Sequence, residues 1–98
     1  MAPKVIRWVS KALLDLTDAF AYVGQRDPKY ADTLAEEIES EVNALLDNPY
    51  RGRKVPEYDR ESLRELIVRR YRVLYRVTPE QIEVLSIFSD RNQLPKNL

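Results

Sequence analysis

Arginines dominate the part of the chain whose side chains could do chemistry. The segment from Leu63 to Val77 reads LRELIVRRYRVLYRV, in which apolar and tyrosine side chains are interspersed with guanidiniums. Such a pattern predicts two paired strands with one face in a core and arginines along the other face or the rim. This surface would suit an anionic partner, either a nucleic acid or an acidic protein. The arginines of the segment are Arg64, Arg69, Arg70, Arg72 and Arg76.

Two residue types that the chain lacks restrict this chemistry. There is no cysteine, which excludes a disulfide scaffold, a thiolate metal site and a cysteine nucleophile. There is no histidine either, so the usual acid–base group near neutral pH is missing, and we predict no metal site and no cofactor. Glu57 and Glu65 remain as possible bases, but an arginine is a poor general acid because it stays protonated.

The length and composition predict one small globular domain. The chain has 98 residues, of which 44% are hydrophobic and 33% charged. We therefore expect residues 1–98 to form a single domain, with 89–98 as a loosely held tail. No apolar run is long enough to span a membrane and the start lacks a signal-peptide core, so a cytoplasmic protein without a membrane partner is predicted.

Charge is divided unevenly along the chain, although the formal net charge is zero. Residues 1–50 hold five Lys/Arg against nine Asp/Glu, or −4, whereas residues 51–98 hold eleven against seven, or +4. This asymmetry predicts a polar molecule with one basic face.

The first half of the chain reads as a strand followed by two helices. Residues 4–9 favour a short strand, and Ser10 is a plausible N-cap for a helix that ends at Gly24. Asp27 and Pro28 then start a second helix, as N-cap and first-turn residue. The first helix is predicted to bury Leu13, Leu16, Phe20 and Val23, and the second to bury Ala31, Leu34, Ile38, Val42 and Leu45.

The second half reads as a polar loop followed by three strands. Residues 50–62 carry glycine, proline and alternating charges, with Val55 as a small apolar anchor. Strands are predicted at 63–68, 71–77 and 81–88, joined by hairpin turns. The fold class is therefore α+β: an N-terminal strand, an antiparallel two-helix hairpin, then a three-stranded antiparallel sheet that the hairpin covers on one face. Many of the arginines are expected on the opposite face.

Short motifs follow one another in a fixed order along almost the whole chain. They are Arg7-Trp8, ALLDL from Ala12, Asp27-Pro28, Leu45 to Pro49, Gly52-Arg53, Val55-Pro56-Glu57, LREL from Leu63 and YRVLYRV from Tyr71. In this order and spacing they resemble the toxins of the ParE/RelE superfamily, the poison halves of bacterial type II toxin–antitoxin modules. The LREL and YRVLYRV motifs with VPE upstream are closer to the ParE branch.

The resemblance implies a protein that stops growth unless its cognate antitoxin is bound. ParE-like members poison DNA gyrase, whereas RelE-like members are endoribonucleases that cut mRNA on the ribosome. The tail SDRNQLPKNL offers neither the histidine nor the tyrosine that RelE-like enzymes use. Gyrase poisoning without catalysis is therefore the predicted function, and ribosome-dependent mRNA cleavage the alternative. DNA would be contacted only through the antitoxin.

The resemblance also implies roles for particular arginines. In a ribonuclease, Arg72 would bind phosphate, Arg64 would add charge from the preceding strand, and Glu65 would be a candidate base. For contact with the antitoxin or the target, the candidates are Arg64, Arg72, Arg76 and Arg91. Arg76 is equally compatible with a merely solvated strand face. Arg69 and Arg70 are expected to be a solvated hairpin turn.

Overall fold

Two helices and five strands make up the part of the chain, residues 5–89, that this computed structural model describes. Within that range no helix is long and apolar enough to cross a membrane. In chain order the elements are β1 (Val5–Trp8), α1 (Ser10–Gly24), α2 (Pro28–Asn43), a 3-10 turn (Ala44–Leu46), β2 (Arg53–Lys54), β3 (Leu63–Val68), β4 (Tyr71–Val77) and β5 (Gln81–Ser89).

All five strands belong to one sheet, in the order β1-β5-β4-β3-β2. The pairing is antiparallel except between β1 and β5, which run parallel. The α+β class is confirmed, but the sheet has five strands and not the predicted three. β1 joins the sheet through a long-range pairing, and β2 consists of two exposed charged residues that pair with β3. Neither strand has a side-chain pattern that reveals its neighbour.

The helices pack against one face of this sheet. On α2 the predicted inner face is confirmed, since Ala31, Leu34, Ile38 and Val42 are all buried and Leu45 follows them in the 3-10 turn. The start of α2 is also as predicted: the Asp27 side chain accepts a hydrogen bond of 3.0 Å from the Tyr30 backbone N–H. The helix itself ends at Asn43, where a 3-10 turn takes over.

The inner face of α1 differs from the prediction. Ala12 and Ala19 are buried, and Leu16 and Val23 pack against the core, whereas Leu13 and Phe20 are 50% and 41% exposed. The predicted N-cap was also wrong by one residue, because Val9 is the N-cap and Ser10 is the first residue of the helix. A periodicity based on large apolar residues overlooks alanine, whose small side chain lets a helix lie close to a sheet.

The sheet face away from the helices, here called the open face, is partly covered. Val55 is fully buried there and contacts Leu63 and Leu74, with Tyr58 and Phe88 packed around them. The segment between β2 and β3 therefore lies over this face, with Val55 as the predicted anchor.

Next to a β-bulge in β5, the sheet is hydrogen-bonded to a side chain of α1. Tyr75 pairs with Val84 but Leu74 pairs with Ser86, so Leu85 is the extra residue. The Asp15 carboxylate accepts hydrogen bonds of 3.0 Å from the Ile87 backbone N–H and from the Ser86 hydroxyl. Lys11 adds an ion pair of 2.7 Å to the same oxygen. A bulge interrupts the ladder of backbone hydrogen bonds, and Asp15 binds groups at this interruption.

Tyr75 anchors the turn that precedes β2. Its side chain is buried; the hydroxyl donates to the Pro49 carbonyl at 2.8 Å and accepts from the Gly52 N–H at 2.9 Å. A Cβ on Gly52 would lie 2.5 Å from the Glu65 carbonyl oxygen and 2.6 Å from the Tyr75 hydroxyl. This close approach requires glycine.

We expect Gly52→Ala to lower the free energy of unfolding by about 2 kcal/mol, because the added methyl overpacks a buried site bounded by backbone. Urea denaturation of the variant and the wild-type chain measures this loss of unfolding free energy. Gly24→Ala is the matched control, since its Cβ would meet only the Ala31 side chain at 3.7 Å, an ordinary contact. Equal unfolding midpoints for the two variants would contradict the packing at Gly52.

Candidate functional site

A row of alternating charges lies on the open face of the sheet. The Glu65 side chain is 0% exposed and forms ion pairs with both Arg53 and Arg72, with Arg72 Nε donating at 2.7 Å. The terminal nitrogens of Arg72 donate to the two oxygens of Glu57 at 3.1 Å each. These four residues, here called the charge network, join β2, β3, β4 and the segment before β3.

Strand register brings these side chains together. Arg72 pairs with Ile67 and Leu74 with Glu65, so Glu65 and Arg72 lie on the same face of neighbouring strands. The Arg72 guanidinium lies over the Phe88 ring at 5.2 Å and only 12% of its side chain is exposed. Arg72 is therefore held from several sides by carboxylates and an aromatic ring.

The network also sets the charge states of its members. The hydrogen bond from Arg72 lowers the pKa of Glu57, although partial burial opposes this shift. The pKa of Arg72 is raised, chiefly by the hydrogen bond to Glu57 and also by Glu65. A general base works best with a pKa near the operating pH. Glu57, one of the candidate bases, is therefore shifted away from that role.

A second cluster of charges crosses the same face. Glu83 lies between Arg7 and Arg76, at 3.2 Å from one and 3.4 Å from the other. This cluster and the charge network together contain four arginines and three glutamates, so the net charge of these seven side chains is +1. The predicted basic face is therefore nearly neutral, because its arginines are paired with glutamates from other segments. Arg7, Arg53, Arg72 and Arg76 are the cations, and Glu57, Glu65 and Glu83 the anions.

Arg64 lies on the other face of the sheet. It is in register with Tyr75, and it donates to the Gly52 carbonyl at 3.2 Å and to the Glu61 carbonyl at 2.8 Å. Its guanidinium stacks on the Tyr50 ring at 4.9 Å. Of the candidate catalytic set, Glu65 and Arg72 are thus in contact, whereas Arg64 is separated from them by the sheet. Successive strand residues alternate in direction, so Arg64 and Glu65 point oppositely.

The two hairpin arginines have different surroundings. Arg69, with a φ of 54°, forms two hydrogen bonds of 2.7 and 2.8 Å to Glu37 and stacks on Tyr30 at 5.0 Å. The prediction of a merely solvated turn was therefore wrong for Arg69, which ties the β3–β4 turn to α2. Arg70 forms no ion pair within residues 5–89. Arg91, the last candidate for partner contact, lies outside the described residues.

Sequence reasoning missed a groove beside α1. It has a volume of about 790 Å³ and runs between α1, the β3–β4 turn and the end of β5. We call it the α1–β5 groove. The clue in the sequence was the one-turn spacing of Tyr22 and Arg26, outside the assigned apolar face. Its lining includes Lys11, Asp15, Asp18, Ala19, Tyr22, Val23, Arg26, Tyr30, Arg70, Tyr71, Ile87 and Phe88. No group of acidic side chains between residues 5 and 89 could hold a metal ion.

We expect Glu65→Gln to reduce the free energy of unfolding by about 3 kcal/mol, since it removes a buried carboxylate charge on which two guanidiniums depend. The matched control is Glu61→Gln, because Glu61 also pairs with an arginine but is 75% exposed. That exposed pair contributes at most about 1 kcal/mol. Urea denaturation compares the two; an equal loss in both variants would contradict the role of Glu65.

The lowered pKa of Glu57 makes one contribution to stability depend on pH. The contribution is fully present above the ordinary carboxyl value of 4.5 and is lost as the pH falls through the lower folded value. The wild-type chain should therefore exceed Glu57→Gln in unfolding free energy at neutral pH, by less than about 1 kcal/mol for this exposed pair. Denaturation from pH 7 downward measures the difference, which should disappear in acid; a constant difference would contradict the assignment.

Comparison with known proteins identifies the family. A family model described as "ParE toxin of type II toxin-antitoxin system, parDE" matches residues 6–94. A Sinorhizobium fredii protein named "Putative toxin Y4kP" is 32% identical over 100 residues, and the alignment spans all of both chains. A solved structure, "Chromosomal ParDE TA system from P. aeruginosa", shares the fold, with a TM-score of 0.73. It is 21% identical and covers 90% of this chain and 96% of its own.

These similarities confirm the resemblance drawn from the motifs, including the predicted branch. The family model extends over nearly the whole chain, and the relative from Sinorhizobium fredii aligns from end to end. The chain therefore belongs to the ParE toxin family of type II toxin–antitoxin systems.

Proposed function

We propose that this chain arrests growth by poisoning DNA gyrase and is neutralised by a cognate antitoxin. Membership of the ParE family, over residues 6–94, is the observation that carries the proposal. The surface chemistry agrees with a role in protein binding, because the arginines of the open face are already paired with glutamates.

The charge network argues against the alternative, ribosome-dependent mRNA cleavage. Metal-free cleavage of RNA needs a base for the ribose hydroxyl, positive charge for the phosphorane and an acid for the leaving oxygen. Arg72 would have to give up two carboxylates to bind a phosphate. Of those carboxylates, Glu57 has a lowered pKa, and Glu65 is buried between two arginines. Arg64 points away from both.

Arg76 is the candidate for direct contact with the target. Its side chain is 41% exposed and its single ion pair, to Glu83, is 3.4 Å long. Releasing this guanidinium costs little, because an exposed ion pair contributes about 1 kcal/mol or less. Arg64 and Arg72 are each only 12% exposed, so contact through them requires a larger rearrangement.

The proposal predicts that the purified chain inhibits DNA supercoiling by gyrase and causes gyrase-linked DNA cleavage when in excess. Toeprinting on translating ribosomes should show intact mRNA under the same growth arrest. Normal supercoiling together with cleaved mRNA would overturn the proposal in favour of the ribonuclease. If induction without antitoxin leaves growth unaffected, the chain is instead a module that only binds its antitoxin.

Two single-residue variants in the same supercoiling assay test the role of Arg76. Arg76 and Arg7 are compared because both pair with the Glu83 carboxylate. We expect Arg76→Ala to weaken gyrase inhibition about tenfold, as loss of a central interface arginine does. Arg7→Ala, on the edge strand, serves as the control and should change inhibition less than about twofold. Equal inhibition by both variants would remove Arg76 from the target surface.

A further inference from the structure

The outer side of α1 is unusually apolar for an exposed helix surface. Seven large apolar residues are exposed within residues 5–89, and four of them lie on this one helix, with exposed fractions from 41% to 65%. A surface helix normally places charged and polar side chains on the side away from the core. Within the described part of the chain, this apolar surface of α1 is uncovered. The four residues are Leu13, Leu14, Phe20 and Tyr22.

One continuous stripe runs along this side of the helix, and we call it the α1 outer face. Its members are all exposed and follow one another at spacings of three and four residues: Leu13, Leu14, Thr17, Phe20 and Ala21. The hydroxyl of Thr17 donates to the Leu13 carbonyl at 3.0 Å. Because this bond is made within the helix, the stripe is in effect apolar over about 12 Å of helix length.

A cleft extends the α1 outer face towards α2. It has a volume of about 190 Å³ and is lined by Trp8, Leu13, Leu16, Glu39 and Asn43. Trp8 and Leu16 are partly buried and pack against the core, so the apolar wall of the cleft is held in position from below. Such a cleft suits one large apolar side chain of a partner, the kind of anchor that dominates binding energy.

Carboxylates border the α1 outer face on both sides. On the side of the α1–β5 groove, Asp18 is exposed and forms no ion pair with another described residue. On the side of α2, Glu39 lines the cleft and likewise forms no ion pair between residues 5 and 89. Asp32 is exposed and lies on the same side of α2 as Glu39, because the two are seven residues apart.

The cations near α1 do not offset these carboxylates. Lys11, the one cation of the helix, is held by Asp15 at 2.7 Å. Arg26 and Lys29 lie beyond the C-terminal end of α1. A nucleic acid or an anionic membrane would therefore bring negative charge to edges that are already negative. A polypeptide that carries cations beside an apolar stripe would instead meet opposite charge at both edges.

The spacing of the stripe suits a helix as the partner. Positions 13, 17 and 20, and likewise 14, 17 and 21, are separated by the four and three residues at which the side chains of two helices interlock. Between the large side chains, Thr17 and Ala21 leave room for those of the second helix. A second copy of this chain fits less well, because a symmetric pairing would place Asp18 and Glu39 beside the same carboxylates of the other copy.

We propose that the α1 outer face binds a cationic amphipathic helix of a protein partner. Apolar side chains of that helix pack on Leu14 and Phe20 and enter the cleft beside Leu13, while its lysines or arginines pair with Asp18 and Glu39. The inference goes beyond the proposed function and does not depend on it, because neither the gyrase target nor the antitoxin enters the argument.

Calorimetric titration of the full chain with two synthetic helical peptides tests the chemistry of the partner. Both peptides carry leucine at the a and d positions of about two heptads; one has lysine and the other glutamate at the e and g positions. We expect the lysine peptide to bind at least about tenfold more tightly, because its charges meet carboxylates at both edges. No binding of the lysine peptide, equal affinities or a preference for the glutamate peptide would overturn the inference.

Apolar variants locate the site. Leu13→Gln combined with Leu14→Gln should weaken binding of the lysine peptide about tenfold or more, because it removes the centre of the contact. The matched control is Ile67→Gln, since Ile67 is also large and apolar, is 51% exposed and lies on β3; it should change binding less than about twofold. Urea unfolding midpoints verify that both variants fold. Unchanged binding by the folded double variant would contradict the inference.

Charge variants test the edges without altering the apolar stripe. Asp18→Asn combined with Glu39→Gln should reduce the preference for the lysine peptide to less than about threefold, because the carboxylates that select it are gone. Glu80→Gln is the control, since Glu80 is exposed in the β4–β5 turn and forms no ion pair within the described range. A preference that persists in the double charge variant would remove these two residues from the site and overturn the inference.

Self-association and membrane binding are the competing uses of the same face. Light scattering measures the mass of the chain alone, and sedimentation with vesicles of phosphatidylcholine and phosphatidylglycerol measures membrane binding. We expect neither quantity to differ between the wild-type chain and the Leu13→Gln, Leu14→Gln variant. A dimer that dissociates in this variant would assign the face to a second copy, and vesicle binding that the variant loses would assign it to a membrane; either result would overturn the inference.

Discussion

The structure depends on one buried carboxylate, that of Glu65, held between Arg53 and Arg72. Burying an ion is costly unless partners satisfy it, and here two guanidiniums do so from two different strands. Through Arg72 the same network reaches Glu57, so the segment that crosses the open face is fastened to the sheet by charge as well as by Val55. A short edge strand with no apolar residues, β2, is thereby kept in place.

The network also changes what the arginine-rich strands offer a partner. A guanidinium bound to carboxylates has already been taken from water and oriented, so its positive field at the surface is small. The open face is consequently a nearly neutral, ordered surface from which Arg76 and Arg7 project. Beside α1, by contrast, Arg26 and Arg70 form no ion pair with any other described residue. Two chemically different surfaces therefore lie on one small domain.

The α1–β5 groove exists because of three local features. Ala12 and Ala19 bring α1 close to the sheet, the bulge at Leu85 turns both Ser86 and Ile87 towards α1, and β1 ends before β5 does. None of these features can be read from a hydrophobic pattern. Alanine is too small to mark a face, a bulge breaks the alternation, and the length of a pairing depends on the partner strand.

The sequence by itself determined the local elements and the family. The bounds of β3 and β4, the buried face of α2 and its Asp27 cap follow from periodicity and capping, which act over a few residues. The ordered motifs were sufficient to indicate a ParE toxin. Only the tertiary structure decided which arginines are free, because the partners of Arg69 and Arg72 are Glu37 and Glu57, distant in the chain. Ion pairs form between side chains that are close in space, and the order of residues in the sequence does not show which side chains those are.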